Sequence, residues 1–221
     1  MKNIVFFPTN NIGKYERYKK SFENKNINYN RYLKNKDYVD IKVDVLENEK
    51  TTKENAKKKA KAYYDEYKKY LKNTDFLIMT TDEALYIEGL EEKKQPGLYV
   101  RRFNGLDRAT DEEVVERYTG FVKKMGGEVN AKWIYSLVIY DGTDYYDYSW
   151  EEKVLFSDTP HLPITKGYVL NNITIVGKNN GKNIMLSDLT DEQRYDYLSK
   201  YTDSVADFVI DKIEKLVIRR K

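Results

Sequence analysis

The segment Asp75-Phe76-Leu77-Ile78-Met79-Thr80-Thr81 limits the fold more than any other stretch of the chain. Its apolar run is continuous rather than alternating, which marks a strand buried on both faces. The chain around it supplies further strands and several helices. Ile4-Val5-Phe6-Phe7 is a short apolar run that leads directly into a segment of helical spacing, with Tyr15, Tyr18 and Phe22 on one face. Val39 to Val45 alternates apolar and charged residues, as a half-buried strand does. A long helix is expected from Thr52 to Leu71, with Ala56, Ala60, Tyr63, Tyr67 and Leu71 on one side. Asp82-Glu83 closes the buried run, and a second strand is expected from Ala84 to Leu90.

Beyond the turn signal Gln95-Pro96-Gly97, Thr110 followed by Asp111-Glu112-Glu113 reads as a helix start that runs to Met125 and stops at Gly126-Gly127. Trp133–Tyr140 and Asp147–Phe156 read as a hairpin across Asp141-Gly142. Another strand is expected from Lys166-Gly167 to Val176, then a loop from Gly177 to Gly181. A final helix begins near Leu189, with Val205, Phe208, Val209, Ile213 and Leu216 on its apolar face. This order of elements describes a mixed α/β protein.

At 221 residues the chain is long enough for one large domain or two lobes. Lysine and arginine number 39 against 36 acids, a net charge of +3 that does not point to nucleic acid. No apolar run reaches membrane-spanning length and the N-terminus lacks a signal-peptide core, so a cytoplasmic protein with no membrane contact is expected. The absence of cysteine removes thiolate chemistry and cysteine zinc sites. The single histidine, His161, lies in the turn-like Thr-Pro-His-Leu-Pro, with no pattern that supports a Ser-His-Asp arrangement.

The chemistry concentrates in three polar clusters. Thr9-Asn10-Asn11-Ile12-Gly13-Lys14 follows a strand and opens a helix, where free backbone N–H groups and the helix dipole favour anions. Gly13 permits close backbone approach and Lys14 adds a positive charge. An ordinary capped helix would carry the same residues. Glu47 with Lys59, and Asp82 with Glu83, are the other two. In α/β sheets the ligand crevice lies beyond the strand ends. Two acids and two lysines gathered there suit a magnesium-bound polyphosphate, because carboxylates hold the hard cation and ammonium groups offset the remaining phosphate charge.

Four segments together resemble the inosine triphosphate pyrophosphatases, also described as XTP/dITP diphosphatases. Thr9–Lys14 matches the family's opening phosphate-binding motif. Thr51-Thr52-Lys53-Glu54-Asn55-Ala56, continuing to Ala60, is similar to its second motif. Thr81-Asp82-Glu83-Ala84-Leu85 resembles Asp-Asp-Ser-Gly-Leu, and Pro96-Gly97-Leu98-Tyr99-Val100-Arg101-Arg102 resembles Pro-Gly-Val-Tyr-Ser-Ala-Arg. The resemblance has motif quality from Ile4 to about Arg102 and continues more weakly to the C-terminus. It implies residues 1–221 as one domain: an elongated mixed sheet flanked by helices, in two lobes with a nucleotide cleft between them. It also implies Mg2+ on Glu47 and Asp82, with Asp82 as catalytic proton acceptor. Thr9, Asn10, Asn11, Gly13, Lys14, Lys59, Glu83, Arg101 and Arg102 would contact substrate.

The departures bear on substrate and activity. Thr81 stands where the family has a first acid, and Glu83 replaces a hydroxyl residue beside the phosphates. Where the family reads the purine with Phe-Gly-Tyr-Asp, a lysine and Ser-His-Arg, this chain aligns Tyr168-Val169-Leu170-Asn171, Arg194 and Leu198-Ser199-Lys200. Asn171 loses a charge and Lys200 loses the planar fork of arginine. The resemblance therefore implies a Mg2+-dependent pyrophosphatase of non-standard purine nucleotides such as ITP, dITP or XTP. The alternative is a catalytically weak nucleotide sensor that signals to a partner effector, by analogy with antiphage systems. A homodimer is expected for the enzyme, and a hetero-complex for the sensor.

Overall fold

The computed structural model describes residues 4–103 and 108–219, with side chains described as far as Lys215; the Leu216 side chain expected on the last helix lies outside these. Among the described residues six strands form one mixed sheet whose order follows the chain: β1 (Ile4–Phe6), β2 (Phe76–Ile87), β3 (Glu128–Tyr140), β4 (Tyr145–Ser157), β5 (Thr174–Asn179) and β6 (Lys182–Met185). Four α-helices accompany it: α1 (Ile12–Asn24), α2 (Thr52–Tyr67), α3 (Asp111–Lys124) and α4 (Asp191–Arg219). β1 and β2 are parallel, with Phe6 opposite Ile78. A parallel pair needs a crossover, and the crossover here contains α1 and α2.

The chain divides into two compact units. One holds the residues up to Asp82, Tyr135–Trp150 and those from Leu198 on; the other holds Glu83–Ile134 and Glu151–Tyr197.

In the first unit, strand parity sorts the core. Val5, Phe7, Leu77, Met79, Leu137 and Ile139 pack with Tyr18 and Phe22 of α1 and with Val205 and Val209 of α4. Their neighbours in sequence, Phe6, Phe76, Ile78, Val138 and Tyr140, pack with Ala56, Ala60, Tyr63 and Tyr67 of α2. Successive strand residues point to opposite faces, so a strand covered on both sides has to be apolar at every position. The unbroken run of β2 is the sequence trace of this arrangement. In the second unit Leu85 and Ile87 pack with Val114, Val115, Tyr118 and Val122 of α3 and with Phe156, Leu170 and Ile173.

Local signals fix several boundaries. Thr110 caps α3 through the Glu113 N–H, and the Glu113 carboxylate accepts from the Thr110 N–H in return. Asp141–Asp144 joins β3 to β4, a connection so short that the pair must be antiparallel. β3 begins earlier than expected, at Glu128, and ends at the expected Tyr140; β4 extends past both expected ends, to Tyr145 and Ser157; and α2 stops at Tyr67, a turn before Leu71.

Four expectations are corrected. β2 runs unbroken from Phe76 to Ile87, so Asp82-Glu83 lies within a strand and not between two. Val39–Val45 forms no strand, only a bridge between Lys34 and Asp40. Its alternation reflects Ile41 and Val43 packing on the α2 cluster, while the Ile41 carbonyl accepts the Tyr67 hydroxyl at 3.1 Å. The free flank of β1 is taken instead by Asn30, which bonds Val5 and Phe7. The strand expected from Lys166 begins only at Thr174, behind a 3-10 turn at Val169–Asn172. The loop expected from Gly177 to Gly181 is a hairpin, turning at Asn180-Gly181, both with positive φ.

Candidate functional site

Parity on β2 decides what meets α2. Phe76 and Ile78 face it; two residues on, the Thr80 hydroxyl donates to the Ala56 carbonyl at 2.7 Å, and two further on stands Asp82. Asp82 is only 5% exposed, and both of its oxygens are engaged by α2. Asn55 Nδ2 donates to Oδ2 at 3.0 Å and Lys59 Nζ donates to Oδ1 at 2.9 Å. Asn55 and Lys59 are one turn apart on the helix, so both reach the same carboxylate. Ala56 and Ala60, fully buried beside them, have no bulk to hold the helix away from the sheet.

The same lysine turns toward a second acid. Lys59 Nζ lies 3.4 Å from Glu47 Oε1. Glu47 comes from the loop before α2, and α2 itself holds that loop. The Glu49 N–H donates to Asn55 Oδ1 at 3.1 Å, and Lys58 Nζ reaches Asn48 Oδ1 at 2.6 Å and Glu49 Oε1 at 2.9 Å. The start of the helix is fixed by Thr51, whose hydroxyl accepts from the Glu54 N–H. A hydroxyl chain, buried at its first link, docks it to the sheet: Thr52 Oγ1 is 2.7 Å from Ser136 Oγ, which is 2.8 Å from Ser149 Oγ.

Thr9–Lys14 leaves β1 at the end of the sheet toward which β2 runs through Thr80 to Asp82, because the two strands are parallel and Phe6 lies opposite Ile78. Asn11 caps α1 by accepting from the Gly13 N–H at 2.9 Å, and the Thr9 hydroxyl accepts from the Asn11 N–H at 3.2 Å. Gly13 and Lys14 form the first turn of α1. The loop is braced from outside. Arg31 Nε donates to the Thr9 carbonyl at 2.8 Å and the Tyr32 hydroxyl donates to Asn10 Oδ1 at 2.8 Å. Burial is the main cause that pushes the Tyr32 phenol up to about 12, so it remains a donor at neutral pH.

In an unbroken strand Glu83 projects to the face opposite Asp82. Arg101 Nη2 is paired with Asp111 Oδ1 at 2.7 Å, and Asp111 Oδ2 accepts the Gly167 N–H at 3.0 Å. Burial alone would raise the Asp111 carboxyl, but the Gly167 N–H and the Arg101 guanidinium together hold it below the ordinary value. Arg102 lies over the Tyr99 ring, and Arg194 bonds Asp191 and the Leu189 carbonyl. Asn171 lies in the 3-10 turn Val169–Asn172. Arg101, Arg102, Asn171 and Arg194 all belong to the second unit. Lys200 belongs to the first, on α4, over the Tyr201 ring.

Glu47 and Asp82 face one cation and offer hard oxygen donors; among the described residues no group of three or more acids or histidines gathers to hold a metal. Two carboxylates suit Mg2+, which keeps water and phosphate oxygens as its other ligands, better than a cation that needs a full protein cage. Sequence reasoning missed Asn55, Arg31 and Tyr32. Asn55 carried a signal, since a poor helix former next to the alanine stripe, on the face that packs, has to satisfy its amide.

Comparison with known proteins places this fold. The model of the Ham1 family matches residues 5–157. The chain belongs to the Ham1 family. Members are nucleoside triphosphate pyrophosphatases. No curated protein matches the sequence. Among solved structures the Ham1 protein of Staphylococcus aureus is 17% identical, with a TM-score of 0.63, over 95% of this chain and 100% of that one. A HAM1 protein from Coxiella burnetii is 14% identical, with a TM-score of 0.65, over 95% and 99%. A nucleoside-triphosphatase described as a dITP/XTP pyrophosphatase, from Mycobacterium abscessus, is 16% identical, with a TM-score of 0.56, over 91% and 95%. At these identities the likeness is one of fold: this Ham1-family chain has diverged far in sequence while keeping the mixed sheet and its flanking helices.

Proposed function

We propose that this protein is a Mg2+-dependent pyrophosphatase of non-standard purine nucleoside triphosphates, with ITP, dITP and XTP as its substrate class. The observation that carries the reading is Lys59, bonded at once to Asp82 and Glu47, which draws two acids from distant parts of the chain into one constellation. Glu47 and Asp82 hold the metal, which when bound supplies Lewis-acid stabilisation of the phosphate charge. Asn10 and Asn11 present their side-chain amide donors to phosphate oxygens at the start of α1, Thr9 and Gly13 shape the loop that carries them, and Lys14 and Lys59 offset the phosphate charge.

Asp82 takes the proton of an attacking water. Each carboxylate oxygen accepts one bond from α2 and keeps a further lone pair for it. The water oxygen bonds to the α-phosphorus, the α–β phosphoanhydride P–O bond breaks, and pyrophosphate leaves with a nucleoside monophosphate as the other product. Positioning and charge stabilisation carry the rate, as in other phosphoryl transfers. Asn171, Arg194 and Lys200 contribute to base recognition in this reading, and Arg102 to the substrate contacts. Arg101 acts through its pair with Asp111. A homodimer in the cytoplasm is part of the same proposal; no described helix is long and apolar enough to cross a membrane.

A nucleotide sensor is the second reading, favoured by Thr81 in place of an acid beside Asp82 and by the altered base-reading segments. It would bind dITP or a similar nucleotide, turn it over slowly and report to an effector. A panel of nucleoside triphosphates with Mg2+, scored for both binding and pyrophosphate release, separates the two. Rapid multiple turnover on ITP, dITP or XTP supports the enzyme, tight binding with negligible release supports the sensor, and neither binding nor release contradicts both.

A further inference from the structure

Asn55 is 1% exposed and uses both ends of its amide. Its Oδ1 accepts the Glu49 N–H from the loop that carries Glu47, and its Nδ2 donates to Asp82. We infer that Asn55 is a positioning residue that locks the Glu47 loop to the Asp82 carboxylate, so that the two acids move as one body. The inference rests on the roles given to Glu47 and Asp82 above.

The chemistry of the position is specific. An amide of this length joins an acceptor to a donor on a rigid plane, with the acceptor on a backbone N–H and the donor on a carboxylate. Aspartate would keep the first bond and set a second negative charge against Asp82; leucine would fill the volume and make neither bond. Lys59 already ties Asp82 to the Glu47 side chain, but a lysine is a flexible point charge and does not fix the loop backbone. Asn55 supplies that constraint through Glu49, two residues beyond the acid.

Amide hydrogen exchange at Glu49, measured on the full chain without ligand, tests this directly. Asn55→Leu should speed that exchange about tenfold, the loss of one half-buried hydrogen bond. Asp82→Ala, or Asp82→Ser should the first fail to fold, should also speed it several-fold, although Asp82 makes no bond to Glu49, because the amide then loses its second anchor. Thr52→Val, a change on the same helix, should leave it within about twofold of wild type. Turnover adds a second readout: Asn55→Leu should lower kcat about tenfold or more, with KM within about threefold. Wild-type exchange at Glu49 in either the Asn55 or the Asp82 variant overturns the inference. So does equal acceleration by Thr52→Val, which would mean a general loosening of α2. If the wild-type protein releases no pyrophosphate from any nucleotide, the proposed activity fails on its own, and the exchange comparison still decides whether the lock exists.

Discussion

Lys59 and Asp82 lie 23 residues apart in the chain and meet at 2.9 Å, one on α2 and the other in the middle of β2. Their side chains are 14% and 7% exposed, so the pair is largely removed from water. An ion pair so placed is a weak source of net stability, but breaking it is costly because the surviving charge is stranded. Lys59→Met should therefore destabilise the fold by about 3 kcal/mol at neutral pH. Urea unfolding of the two proteins measures this, and a change below about 0.5 kcal/mol would mean that the pair is solvated and not built as described.

Tyr64 of α2 packs over the β3–β4 turn at Gly142, where a Cβ would fall 2.2 Å from its hydroxyl oxygen and 2.3 Å from Cζ. The ring has little room to yield, being stacked on Phe76 at 4.5 Å and edge-on to Tyr140 at 5.1 Å. Gly142 also has a φ of +97°, which L side chains rarely adopt. Gly142→Ala should cost about 2–3 kcal/mol. Gly142→Ala paired with Tyr64→Ala should recover part of the loss, a coupling that a double-mutant cycle reads directly.

The Arg101–Asp111 pair gives a pH dependence of defined sign. The folded Asp111 carboxyl lies below its ordinary value of 3.8, so its contribution is complete above that value and is lost as pH falls through the lower, folded one. Arg101→Met should destabilise by about 1 kcal/mol at pH 7, and the difference from wild type should shrink steadily below about pH 4 as Asp111 takes up a proton. Chemical denaturation across that range checks it; a penalty independent of pH would assign the effect to lost packing.

Tyr32 braces the Thr9–Lys14 loop through its hydroxyl, which donates to Asn10 Oδ1. Tyr32→Phe removes one bond and little volume. The expected result is a rise in nucleotide KM of about threefold to tenfold, with kcat changed less than twofold. Steady-state kinetics on ITP measures both, and an unchanged KM would separate this loop from substrate binding.

The sequence displayed most of this architecture where local chemistry and burial agree. The Thr110–Glu113 capping box and the Asp141-Gly142 turn carry their instructions within a few residues, and both were legible. β2 was legible as a strand but not in its length. Asp82-Glu83 reads locally as a break, yet the ladder continues because α2 neutralises Asp82 from 23 residues away. Val39–Val45 has the alternation of a strand without the partner, since Asn30 already occupies the flank of β1. The β5–β6 hairpin was hidden behind Gly177, although Asn180-Gly181 is a strong turn signal in its own right. In the candidate site, the nearness of Glu47, Lys59 and Asp82 was expected from their places at strand ends and in loops, and the resemblance pointed the same way. Arg31 and Asn55 bond backbone atoms of loops and Tyr32 bonds the Asn10 side-chain amide oxygen, and no spacing in the chain announces such contacts.

The central claim is that Asp82 receives the proton of the attacking water. Asp82→Asn keeps the shape and a hydrogen-bonding oxygen but cannot act as that base, so pyrophosphate release from ITP with Mg2+, measured beside ITP binding, tests it most directly. The account predicts sustained release by the wild-type protein, a fall of about a thousandfold in the variant, and binding that remains measurable in both. Release by Asp82→Asn at the wild-type rate would contradict it.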